Sequence, residues 1–221
     1  MRNKLILTTF FIVCSFNLIV GQQLNFDSLK TVLDTVWKTD QEYRLKLMDL
    51  MKNGKTESED FKNLILAIKK SDTINLKIVT NIIDEHGWLG SDQIGFNGNQ
   101  VLFTVIQHAD IITQEKYLPI IRKAAKEGKT LISNLAILED RIALRQGKRQ
   151  IYGSQIWIDS KTGNKYIQPI EDPENVDKKR SEVGLQSMNE YLNQFFQINW
   201  DIEEYKKNLP IVEELTKDKK K

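Results

Sequence analysis

Apolar residues recur at helical spacing along most of this chain, and that period constrains its fold more than any motif does. Leu29, Val32, Leu33, Val36 and Trp37 fall at i, i+3, i+4, i+7 and i+8, one face of a helix. Thr39 with Glu42 reads as a capping box that starts a second helix through about Met51, which Gly54 ends. Phe61, Leu64, Ile65 and Ile68 make a third stripe. A break at Ser71-Asp72-Thr73 precedes a helix carrying Leu76, Val79, Ile82 and Ile83, stopped by Gly87. Gly87, Gly90, Gly95 and Gly98 predict a loop, with helix resuming near Gln100. Thr113 can cap the next helix, in which Pro119 demands a kink or a late start, and another helix ends before Gly147.

The period then changes. Gln150 to Ile158 and Lys165 to Ile170 are rich in aromatic and β-branched residues, with a polar turn between them, and so predict a hairpin. Beyond Pro173, Leu185, Met188, Leu192, Phe195 and Phe196 restore a helical stripe. No repeat or linker divides the chain. The expected fold is mostly α: a single-domain helical bundle over residues 22–216, with one small β-hairpin in the C-terminal half.

The first residues suggest an address. Arg2 and Lys4 precede a largely apolar run from Leu5 to Val20, and a small residue, Gly21, is followed by polar Gln22. This is the pattern of a secretory signal peptide over residues 1–21, cleaved after Gly21; the rival is an uncleaved anchor, for which the run is short and impure. Cys14 lies inside the apolar run, too early for a lipidated cysteine. Cleavage would leave about 200 residues with no cysteine, so an exported chain would rely on its apolar core rather than on disulfides. It would also leave 30 basic and 30 acidic residues, four of those lysines at positions 217 to 221 in a basic tail expected to be disordered. Such a balance lacks the dense basic stripe of a nucleic-acid binder, and no membrane contact is expected after cleavage.

Two histidines occur, each beside carboxylates: Glu85-His86-Gly87-Trp88 and Gln107-His108-Ala109-Asp110. Imidazole titrates near neutral pH and suits proton transfer or metal ligation. On one regular helix, His108 and Asp110 point about 200° apart, which argues against their sharing a metal. Arg141, Arg145 and Arg149 recur at steps of four and could line up guanidinium groups for a carboxylate, phosphate or sulfate, or form a solvated face. Gln150-Ile151-Tyr152-Gly153-Ser154-Gln155 sets donors and acceptors around a glycine bulge. Phosphate-binding, dinucleotide, zinc-protease, EF-hand and nucleophile-elbow motifs are absent, so no cofactor and no metal are implied.

Taken in order, Glu85-His-Gly-Trp88, Gln107-His-Ala-Asp110, Asp140-Arg141, Gln150-x-Tyr152-Gly-Ser-Gln155, Pro169-Ile-Glu-Asp-Pro173 and Asp177-x-x-Arg180 resemble a bacterial family catalogued as domain of unknown function 6624. The likeness runs from about Asp40 to Tyr191. Leu89 and Ser154 depart from the expected proline and threonine without removing a titratable group. The resemblance implies a shared polar site and supplies no reaction.

The site expected from the sequence has His108, Asp110, His86 and Tyr152 as catalytic candidates, with His108 oriented by Gln107 or Asp110. Arg141, Gln107, Gln150, Gln155 and Trp88 are its binding candidates, and the ligand expected is small and polar or anionic. Hydrolysis or group transfer suits that set. A binding module without turnover and a purely structural polar network remain the alternatives.

Overall fold

A computed structural model describes residues 25–159 and 162–217; the signal segment and the last four residues of the basic tail lie outside them. Eight α-helices are present among the described residues. The first, α1 (Phe26–Lys52), is capped by Asn25, whose side chain accepts from the Asp27 and Ser28 amides. It runs unbroken through Thr39, where the sequence predicts a new start. The Thr39 hydroxyl turns back to the Thr35 and Val36 carbonyls and meets the Asn75 side chain on α2 (Glu59–His86). Likewise the polar triplet at residues 71–73 does not interrupt α2. Ser71 donates to the Thr39 carbonyl and accepts from Asn75, so these polar residues tie α1 to α2 instead of breaking either helix.

Helix α3 (Ser91–His108) begins nine residues before the expected Gln100, with its kink at Gly95 (φ 74°) absorbing the glycine-rich stretch. Gly98 lets α3 close on α1: a Cβ there would stand 3.2 Å from both Ile94 Cβ and Leu33 Cδ1. Asp110, not Thr113, caps α4 (Ile111–Lys126), which continues through Pro119; α5 (Ile132–Arg145) follows. The main core lies among α1 to α5, where Leu33, Val79, Ile83, Leu102, Ile106, Ile121 and Leu138 are buried. Burial at about 25 cal/mol per Å² of apolar surface is the dominant stabilising term for such a cluster.

The hairpin is real and shorter than the apolar runs suggest. Strands β1 (Ile156–Ile158) and β2 (Lys165–Ile167) pair antiparallel, with Trp157 stacked on Tyr166 at 5.3 Å between ring centroids. It packs with α6 (Val176–Glu182), α7 (Met188–Phe196) and α8 (Ile202–Lys217) around a second cluster of Ile170, Val176, Met188, Leu192 and Tyr205. No helix among the described residues is long and apolar enough to cross a membrane.

The candidate site at the α1, α2 and α3 junction

One residue breaks the apolar stripe of α1 at its buried edge. Leu33, Val36 and Asp40 are the buried positions of that helix, and Asp40 is only 3 % exposed. A carboxylate needs partners to sit there. His108 supplies the first, its Nδ1 lying 3.1 Å from Asp40 Oδ1, at the last residue of α3. Gln41 Nε2 donates to Asp40 Oδ2 at 2.6 Å, and the Arg44 guanidinium, one turn along α1, reaches both Asp40 and Asp72 of α2. Burial alone would raise the Asp40 pKa. The His108 hydrogen bond and charge, with Arg44 and Gln41, outweigh it and hold the carboxyl below its ordinary value. Asp40 is therefore a carboxylate fixed beneath an imidazole.

His108 and Asp40 open on a cleft of about 150 Å³ lined also by Asp72, Thr73, Leu76, Val105, Ala109 and Asp110. Asp110 faces this cleft while its side chain accepts the Thr113 amide, so it serves the α4 start and does not orient His108. Gln107 is likewise not the orienting group; its carbonyl accepts from Gln114. Arg145 donates to the Ala109 carbonyl at 2.7 Å and feels the charge of Asp110. Arg141, one turn earlier on α5, is close enough to Arg145 and Arg44 for their charges to act on it. Burial first, and then those two like charges, lower its pKa to about 10. Arg149 does not complete the row. It lies past the end of α5 and pairs with Glu213.

The other candidates stand elsewhere. His86 ends α2, with Glu85 Oε2 at 3.7 Å. Leu76, the cleft residue of the same helix nearest to His86 in the chain, is about 15 Å away at 1.5 Å rise per residue, so His86 does not reach the cleft. Trp88 is 6 % exposed and belongs to the main core. Among the described residues no three His, Cys, Asp or Glu side chains converge to hold a metal ion.

The segment around the glycine bulge is a structural clasp. The fully buried Asp140 accepts three backbone amides, from Ile151, Tyr152 and Ser154, at 2.7 to 3.0 Å. Burial pushes its carboxyl up and those amides pull it back, leaving it above the ordinary value. Gln150 spends both ends of its amide on main chain, donating to the Gln155 and Gln168 carbonyls and accepting the Gln155 amide. Gln155 donates to Ser154 Oγ. From the opposite side Arg180 donates to the Tyr152 carbonyl, and the Tyr191 hydroxyl donates to the Ser154 carbonyl. Gly153 makes this possible, because at φ 67° any Cβ would meet Met188 Sδ at 2.8 Å. The Tyr152 phenol is half-buried among Glu139, Asp140 and Glu182, and burial first, then those acids, raise its pKa. Its surroundings are acidic, unlike those of Arg141.

Fold and site together define a mostly helical protein whose two cores are clasped by a buried polar network, with an imidazole–carboxylate pair at a cleft beside it. The chain belongs to the family of unknown function DUF6624, whose sequence profile matches residues 27–199. No curated protein and no solved structure matches it.

Proposed function

We propose that the cleft at the end of α3 is the active site of an exported hydrolase or group-transfer enzyme, with His108 as general base and acid. The observation that carries this reading is the His108–Asp40 contact, in which a buried carboxylate fixes an imidazole on a water-accessible cleft. With the ring proton on Nδ1 donated to Asp40, Nε2 carries the free lone pair. Nε2 takes a proton from water as the water oxygen bonds to the electrophilic centre of the substrate. Asp40 stabilises the imidazolium so formed, and the same proton then passes from Nε2 to the departing group. The net change is addition of water across the broken bond. Another hydroxyl in place of water gives transfer. Export rests on the basic and apolar character of residues 1–21.

The test uses protein recovered from the cell envelope or medium, where a chain beginning at Gln22 is expected. The parent, His108→Gln and Asp40→Asn are assayed on nitrophenyl esters of carboxylic, phosphoric and sulfuric acids and on nitrophenyl glycosides. Turnover by the parent of at least one class, reduced about a hundredfold in His108→Gln, is the expected result. A parent inert on every class, with His108→Gln losing several kcal/mol of stability, would assign the pair to structure instead.

A further inference from the structure

Arg141, whose charge feels Arg145 and Arg44, has neither a carboxylate partner nor a hydrogen bond among the described residues. It is half-buried on α5, and its Nε is fully enclosed and without an acceptor. Arg44 Nε, on α1, is enclosed and without an acceptor as well. A buried cation is ordinarily paired or neutralised. Here the neighbours make matters worse, since Arg145 and Arg44 repel it. The surrounding charges are nonetheless already balanced elsewhere: Arg44 by Asp40 and Asp72, and Arg145 by the Ala109 carbonyl with Asp110 close by.

We infer that Arg141 seats a monoanionic carboxylate of the ligand, its planar fork facing the two carboxylate oxygens. A single negative charge compensates the single unpaired guanidinium. A phosphate dianion would bring a second charge toward Asp40 and Asp72, which already hold Arg44, and toward Asp110, which already acts on Arg145. The fork matches a carboxylate in two parallel hydrogen bonds, a geometry lysine does not offer. This inference depends on the region being a ligand site and not on His108 turning anything over.

Thermal unfolding of the full chain at constant ionic strength, with chloride replaced by acetate, propionate or inorganic phosphate, tests it. For the parent a saturable rise of a few degrees is expected with the two carboxylates and a smaller one with phosphate. Arg141→Met should abolish that rise and melt no lower than the parent in chloride, since it removes an unpaired, half-buried charge. Arg141→Lys, which keeps the charge, should bind acetate at least tenfold more weakly than the parent. A phosphate shift larger than the carboxylate shifts, equal shifts in parent and Arg141→Met, or unweakened binding by Arg141→Lys would each overturn the inference. Carboxylate binding that depends on Arg141 in a protein without turnover would leave it standing while removing the acid–base role of His108.

Discussion

Replacing Asp140 with alanine is expected to destabilise the protein by about 3 kcal/mol or more, because three partly buried amides lose their acceptor at about 1 kcal/mol or more each. Those amides belong to Ile151, Tyr152 and Ser154. They lie in the segment that joins the helical core to the hairpin core, so the loss falls on the junction rather than on one side chain. Asparagine separates the contributions. Its oxygen still accepts from Ile151 and Tyr152, but its amide nitrogen faces the Ser154 amide, donor against donor, and an intermediate loss of about 1–3 kcal/mol follows. Denaturant unfolding followed by far-UV circular dichroism gives the order parent, Asn, Ala. An alanine variant as stable as the parent would remove the clasp from this account.

Arg180→Ala is expected to have a comparable effect, about 3–4 kcal/mol, through a large cavity and two orphaned carbonyls. Arg180 is 1 % exposed. Its Nε donates to the Gln186 carbonyl at 2.5 Å, its Nη1 donates to the Tyr152 carbonyl at 2.6 Å, and the guanidinium lies 4.8 Å from the Tyr191 ring centroid. Burial lowers its pKa while Tyr191, Asp177 and Asp140 support the charge. Lysine retains the charge but not the fork, and so reaches one carbonyl at a time. Arg180→Lys should recover less than half of the loss when both variants are unfolded in urea; full recovery would show that charge, not the two-carbonyl fork, matters.

Asp140 and Arg180 carry this weight for a reason visible in the sequence only in part. The motifs around residues 140, 150–155 and 180 were legible as a related polar set, and the structure brings them together. Their purpose was not legible, because a glutamine that binds substrate and one that imitates a strand partner look the same in a sequence. Gln150 turned out to be the second kind. Helical periodicity located the helices, yet it divided α1 and α2 wrongly. Thr39 and Ser71 read locally as a cap and a break, whereas in the fold they meet across two helices 32 residues apart in the chain. Tertiary hydrogen bonding overrode a local signal.

Asp40 is the instructive omission. The stripe Leu33, Val36 and Asp40 continues helical spacing onto a carboxylate, and an acid at a core position announces a buried partner. Its partner, His108, lies 68 residues away, so no local pattern could name the pair. Local reading offered Gln107 and Asp110 as orienting groups because they are adjacent in sequence. It also joined His86 to the site, although the C-terminal part of α2 separates His86 from the cleft.

The proposed chemistry requires that Nε2 of His108 be the nitrogen free to accept a proton. With only two histidines in the chain, nitrogen-15 NMR of labelled protein assigns each ring nitrogen directly. For neutral His108 the account predicts a protonated Nδ1 donating to Asp40 and a bare Nε2, with that preference lost in Asp40→Ala. A proton found on Nε2 in the parent would contradict it.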